Sequence, residues 1–416
     1  MKIASIDDID ARGRTVLLRV DINSPLDRTT KKILDDNRLD KSLPTIVDLA
    51  EAGAKLVIMA HQGDTQDYHN LISLREHAEK LSTKLNRPVG FIDDVAGPAA
   101  RAAIEELDDG DILLLDNLRY LTEEVSTFED AVKLAPSDMV DTYLVRNLAP
   151  LADVYVNDAF AAAHRNSPSM VAFQELLPSV GGRLLIDEAS ALAGVAVEPS
   201  RPCVFLLGGL RISDAFAMMS NVLVDGTADR ILTSGITAHI MLAACGVDLG
   251  APSASFITDR SLDGFIPQAT ELLSSYGDRI EIPVDLAFEE GGNRREIAVA
   301  DLPVDHLLID IGSRTVTHYE SLIAAAATLF VNGPAGVYES PIGEYGTREL
   351  WKAVAAAKAE SVIGGGDTVA CARRFVDLAD ISFISTGGGA LIRYLSGQRL
   401  PLLDAMERAA ARLGPH

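Results

Sequence analysis

Short runs of Val, Leu and Ile, each closed by a turn and followed by a longer Ala/Leu-rich stretch, recur along the whole chain. Residues 15–20, 55–60, 110–115 and 153–156 read as buried strands, with 43–52, 74–85 and 98–107 as helices between them. Strand and helix alternation of this kind predicts parallel sheets with right-handed crossovers. A second series follows residue 200, with strands expected at 203–207, 230–233, 307–311, 328–331, 360–363 and 381–385. Its helices are expected at 213–223, 237–245, 262–276, 348–359, 369–379 and 391–395. Residues 176–196 open with Pro178 and Gly181-Gly182 and then turn helical, which predicts a boundary and a connecting helix. The fold class expected is α/β: two doubly wound parallel-sheet domains joined by a helix, with an interdomain cleft.

Length and composition agree with that pattern. A chain of 416 residues exceeds what one core usually serves, and with aromatics at only 5% the cores must be built from Ala, Val, Leu and Ile. The formal net charge of −23 repels nucleic acid and anionic membranes, so neither is expected as a partner. It also repels anionic ligands at long range, so any phosphate site must be a local patch of cations or backbone amides. Cys203, Cys245 and Cys371 lie far apart with no CxxC pair, which argues against a disulfide framework or a zinc site. The acidic start MKIASIDDID is unlike a secretory leader, and the longest apolar stretch, 322–331, is too short to cross a bilayer. A cytoplasmic monomer is expected.

In a doubly wound sheet, ligands bind beyond the carboxyl ends of the strands, and the polar signals lie there. In the first half these are Asp21 and Asn23, then His61, then Arg119, then His164-Arg165. Asx turn chemistry or ordinary surface exposure would explain each of them singly. Arginines converging from separate strand ends instead make a clamp for phosphate or carboxylate. The second half carries glycines: Gly208-Gly209 before Arg211, Gly333 after Asn332, Gly364-Gly365-Gly366 before Asp367-Thr368, and Gly387-Gly388-Gly389. Glycine lets backbone amides approach an anion, and a helix start adds partial positive charge. Asp367 offers the hard oxygen ligand that Mg²⁺ bridging phosphates takes. No Walker A, GxSxG, HExxH or dinucleotide fingerprint is present. The residues alone therefore describe a cationic rim and a nucleotide-phosphate cradle, and phosphoryl transfer between them.

In this order, VDINSPL (20–26), DDNR (35–38), AHQG (60–63), DNLRY (116–120), VNDAFAAAHR (156–165), GGLRISD (208–214), VNGPAGVYE (331–339), GGGDTVA (364–370) and STGGGA (385–390) closely resemble the phosphoglycerate kinase family in its archaeal form. The resemblance implies a phosphoglycerate domain at 1–178, a Mg-nucleotide domain at 179–396 and a C-terminal segment, 397–416, returning to the first domain. Carried over residue by residue, Asp21, Asn23, Arg38, His61, Arg119 and Arg165 would line the acid substrate's site. Gly208, Gly209, Arg211, Asn332, Glu339, Gly365, Gly366, Asp367 and Thr368 would surround ATP or ADP, with Asp367 on Mg²⁺. Arg38, Arg211, Gly365 and Gly388 would face the transferring phosphoryl group.

Two positions depart from the family pattern. Its second strand is followed by His-x-Gly-Arg-Pro, whereas this chain continues Asp64-Thr65, replacing a phosphate-binding cation by an anion. Such a replacement costs on the order of 2–4 kcal/mol of substrate binding. Arg211 stands where the family has Lys, which keeps the charge but replaces a compact ammonium by a planar fork. Two alternatives to a phosphoglycerate kinase therefore stay open: a paralogue acting on another small carboxylic acid, and a non-catalytic nucleotide-binding protein.

Overall fold

The computed structural model describes residues 2–63 and 68–413, apart from the side chain of Tyr68. Asp64 and Thr65 lie outside the described residues. The chain divides into two compact units, Met1–Ser190 with Arg399–His416, and Ala191–Gln398.

In the first unit the apolar runs become β1 (Thr15–Val20), β2 (Lys55–Met59), β3 (Gly90–Ile92), β4 (Ile112–Leu115), β5 (Val154–Asp158) and β6 (Ser179–Gly181). They form one sheet in the order β3-β4-β2-β1-β5-β6, parallel throughout. Val16, Leu18 and Val20 point to one face, packing with Leu56 and Ile58 against Leu39, Ile46 and Leu49 of the helix Asn37–Glu51. On β1 the alternate position, Arg19, is the one charged residue, and it too is buried. The helix begins six residues before the expected 43, with Pro44 inside it. Pro44 is exposed, so the carbonyl it leaves without an amide partner can be met by water.

The second unit places β7 (Cys203–Leu207), β8 (Arg230–Thr233), β9 (Ile280–Glu281), β10 (Asp285–Glu290), β11 (Asn293–Ala298), β12 (Leu308–Ile311), β13 (Thr328–Asn332), β14 (Glu360–Gly364) and β15 (Phe383–Ser385) in two sheets. The parallel sheet runs β15-β14-β13-β7-β8-β9, with Phe205 and Phe330 packed ring to ring at 5.1 Å. The other sheet, β11-β10-β12, is antiparallel and corrects the sequence reading, which placed 307–311 in the parallel series and had no strand at 285–298. Its hairpin turns on Gly291-Gly292, both at positive φ, between the paired Glu290 and Asn293. That dipeptide is a two-residue hairpin signal. The polar residues on either side of it, with none of β11 buried, leave the short buried segment Asp285–Phe288 as the pair's one apolar signal. Helices at Ala251–Thr258, Ser313–Ala325 and Pro401–Leu413 also went unanticipated.

Both parallel sheets reverse their winding once. In the first unit the reversal falls between β1 and β5, in the second between β7 and β13. Loops diverge at such a point and leave a crevice at the strands' carboxyl ends.

Candidate active site

The first crevice is lined by the segments after β1, β2, β4 and β5. Asp21 follows β1, is 6% exposed, and holds the Arg38 guanidinium at 2.7 Å. Burial acts to raise the Asp21 carboxyl, but the Arg38 charge and the amide of Asn23, donating at 3.0 Å, override it and leave the group well below the usual carboxylate range. Asn23 turns its Oδ1 to the amide of Gly63 at 3.0 Å, tying the β1 loop to the β2 loop. Gln62 joins the same tie: its amide donates to Asn117 Oδ1 and its side chain bonds Ser24 through both N–H and C=O. Asn117 in turn donates to Gln62 O and Ile72 O. Three strand ends are thereby cross-linked by buried amides, which fixes the loops without placing charge between them.

Within this frame His61 is buried, and the loss of solvent, aided by the charges of Arg19, Arg119 and Arg38 against that of Asp21, pushes its imidazole well below its ordinary range. It is neutral at physiological pH. Arg165 is half-buried and carries an ion pair with Glu129 at 2.8 Å, so its orientation is set from behind. Asp21, Arg38, His61 and Arg119 thus act on one another electrostatically, while Asn23 serves the loop framework. Arg19, Gln62, Asn117, Glu124 and Ser169 were missed. For Arg19 a signal existed, a charge inside the otherwise apolar strand TVLLRV.

The second crevice is made by backbone packed against backbone. Gly208 N donates to Asn332 O, Gly209 N to Pro334 O and Gly235 N to Ala335 O, all within 3.0 Å. A Cβ on Gly333, at φ +85°, would meet Gly208 O at 2.3 Å, and one on Gly388 would meet Gly365 N at 2.6 Å. The glycine loops after β7, β8 and β13 are thus fastened to one another, and the loop after β15 closes on the one after β14. Thr368 is buried and accepts the amide of Gly333 at 3.0 Å, while Asn332 Nδ2 donates to Gly364 O at 3.1 Å. These two predicted ligand residues therefore spend side-chain groups on holding the β13 and β14 loops together. Gly366 and Gly389, by contrast, have open space where a Cβ would stand, at the starts of the helices Gly366–Phe375 and Gly388–Leu395.

Beside this cradle lies a pocket of about 400 Å³. Ile236, Phe256, Leu308, Pro334 and Val337 give it apolar walls, and Gly209, Arg211, Glu339 and Asp367 also line it. His239 and Asp310, both buried, line it too and were not foreseen from the sequence. Arg211 and Asp367 approach to 3.6 Å with side chains 70% and 83% exposed, so both are free to turn toward a ligand. No cluster of three or more His, Cys, Asp or Glu side chains suited to a metal ion occurs among the described residues. Asp367 alone still suits Mg²⁺, which keeps waters and takes one or two carboxylates along with substrate phosphates.

Comparison with known proteins bears on the family. The family model described as phosphoglycerate kinase matches residues 6–398. The chain belongs to the phosphoglycerate kinase family. The phosphoglycerate kinase of Methanothermobacter thermautotrophicus is 42% identical over 98% of this chain and 97% of its own length. That of Halobacterium salinarum is 40% identical over 98% and 100%. Among solved structures, the phosphoglycerate kinase of Pyrococcus horikoshii matches with a TM-score of 0.85 at 36% identity, covering 99% of this chain and 100% of that one. That of Coxiella burnetii matches at 0.84 and 28%, covering 98% and 100%. The family is one of phosphotransferases with a carboxyl acceptor, which use ATP or ADP with Mg²⁺.

Proposed function

We propose that this chain is a phosphoglycerate kinase, catalysing ATP + 3-phosphoglycerate ⇌ ADP + 1,3-bisphosphoglycerate in the cytoplasm, as a monomer. What carries the reading is that each unit's switch-point crevice holds one half of the chemistry, cations in the first and a glycine cradle in the second. A carboxylate oxygen of the acid forms the new bond to the γ-phosphorus as the bond to the β,γ-bridging oxygen breaks. Little covalent chemistry is asked of the protein, and its contribution is positioning and charge neutralisation. Arg38, Arg119 and Arg165 with His61 bind the acid's anionic groups. Arg38, steadied by Asp21, neutralises the transferring phosphoryl group, joined by Arg211 and the amides of Gly365 and Gly388. The nucleoside enters the apolar pocket beside Gly208 and Gly209, whose amides hold the neighbouring loop, with its phosphates at the helix start of Gly366. Asp367 would hold Mg²⁺, which would supply charge compensation to those phosphates. No helix among the described residues is long and apolar enough to cross a membrane.

The test is 3-phosphoglycerate-dependent ADP formation by the purified chain at millimolar substrate over a range of salt concentrations. Turnover is expected, and its absence at every concentration would overturn the reading. One residue favours a second reading: Asp64 stands where the family has a phosphate-binding Arg. A paralogous kinase would then show ADP release with another small carboxylic acid and none with 3-phosphoglycerate.

A further inference from the structure

Arg19 is 3% exposed and lies on β1, facing away from the core that its neighbours Leu18 and Val20 enter. A guanidinium has only N–H donors, and each of its three nitrogens has an acceptor. One terminal nitrogen donates to Val20 O. Nε donates to Ser169 Oγ at 3.3 Å, and the other terminal nitrogen lies 2.9 Å from His61 Nδ1. Ser169 is itself held by Glu124, a carboxylate 3% exposed: Ser169 N and Oγ both donate to it, each at 2.6 Å. An unbroken chain of buried hydrogen bonds therefore runs from Glu124 through Ser169 and Arg19 to His61.

The donor pattern decides the protonation of the imidazole. Since Arg19 can only donate, Nδ1 must accept, and in a neutral imidazole the single proton then sits on Nε2. We infer that Glu124, Ser169 and Arg19 form a positioning relay that holds His61 as the Nε2–H tautomer, so that it presents a fixed neutral donor to an anionic oxygen of the acid substrate. The relay rests on the reading of this crevice as the acid site. A neutral imidazole suits the place, because Arg19, Arg119 and Arg38 already supply charge to it and a fourth full positive charge would have to be desolvated with them. Ser169 is the adjustable link: it turns one carboxylate into an acceptor placed for Nε of Arg19, which orients the planar fork. Every group in the relay is buried, so its hydrogen bonds are protected from competing water and its geometry is stiff.

The tautomer can be read without turnover. Long-range ¹H–¹⁵N correlation spectra of the imidazoles in the full chain, with His61 assigned by comparison with His61→Gln, should show Nε2 protonated and Nδ1 bare at neutral pH. Ser169→Ala removes only the hydroxyl and Arg19→Lys keeps the charge while losing the fork; each should give a mixed tautomer population. Their KM for 3-phosphoglycerate should rise about tenfold, the worth of one hydrogen bond to a charged group, with the nucleotide KM and kcat changed less than twofold. Ser169→Thr should restore the spectrum and KM. A wild-type His61 protonated on Nδ1, or on both nitrogens, would overturn the inference. So would a well-folded Ser169→Ala whose tautomer stays wholly on Nε2. If 3-phosphoglycerate is not a substrate, the functional reading falls, and the spectra still decide the relay.

Discussion

Arg38 and Asp367 carry opposite demands on exposure. Arg38 is half-buried against Asp21, an orientation held by a desolvated carboxylate on one side and open on the other. If Arg38 faces the moving phosphoryl group as proposed, Arg38→Ala removes the cation where charge develops. A fall in kcat of at least a hundredfold is expected, well above the change in KM for the acid, as steady-state kinetics would show. An equal effect on KM alone would reassign Arg38 to ground-state binding. Asp367 has a side chain 83% exposed, with Arg211 as its ion-pair neighbour, and its structural share is that of a surface carboxylate in a helix's first turn. Asp367→Ala should leave the thermal midpoint within a degree or so and depress Mg-dependent turnover sharply, with a raised Mg²⁺ requirement in an ADP-release assay. Asp64 belongs to the same scale. If the resemblance is right to place a phosphate-binding Arg at that position, Asp64→Arg should lower KM for 3-phosphoglycerate and leave the nucleotide KM unchanged, because it would restore that cation.

Between elements, single side chains act as fasteners. Asp158, at the end of β5, accepts the amide of Leu185 at 2.9 Å and so anchors the first turn of the helix Arg183–Ala196. Arg183 N donates to Thr45 Oγ1 at 2.8 Å, and the Arg183 side chain pairs with Asp7 and Asp48. Burial pushes the Asp158 carboxyl up to about 6, outweighing the Thr45 hydroxyl and the amides of Leu185 and Leu184. The native state thus retains a proton through a range in which the unfolded chain has released it. The stability contributed is fully present below about pH 4 and is lost as pH rises through 6, at most about 3 kcal/mol. Asp158→Asn should flatten that slope in urea midpoints followed by circular dichroism. The single tryptophan, Trp351, lies in the other unit, and its fluorescence transition should keep the wild-type pH dependence. The glycine loops make the same point by contact distance. A methyl group at Gly388 would strike the backbone of Gly365, so Gly388→Ala should cost about 1–3 kcal/mol and weaken nucleotide binding in calorimetry, with acid binding unaffected.

For the molecule as a whole, the chain leaves the first unit and comes back to it. The helix Pro401–Leu413 buries Leu402, Leu403, Ala405, Met406 and Ala409. Its first turn bonds Ala163, next to His164 and Arg165, through the amide of Leu402 at 3.2 Å, and Arg412 reaches Glu175 and the carbonyl of Gln174. Removing residues 400–416 should therefore lower the melting temperature of the first unit and raise KM for the acid substrate far more than KM for nucleotide. Equal effects on both would sever this link between the helix and the crevice. The net charge of −23 acts on every part at once. Screening of self-repulsion should raise the melting temperature from about 0.05 to 1 M KCl, a span in which the Debye length shrinks from above 10 Å to about 3 Å.

Much of this was legible in the sequence because parallel α/β units write themselves in local signals. Doubly buried strands need unbroken apolar runs, and anion-binding loops need glycine at strand ends, so the fold class and the four glycine loops are legible in the sequence alone. The hairpin Asp285–Ala298 was written mainly in its Gly291-Gly292 turn, since no residue of β11 is buried and that strand leaves no hydrophobic pattern. The spending of Thr368 and Asn332 on loop-to-loop hydrogen bonds was not legible, because a hydroxyl or an amide in a motif does not say whether it faces a ligand or the next strand. Arg19 shows the division most clearly. Its presence in a buried strand was plain from TVLLRV, yet a buried guanidinium takes its meaning from its acceptors, and Ser169, 150 residues away, is among them. Which partners a charge finds inside a protein is settled by packing at long sequence separation, and only the tertiary structure determines that.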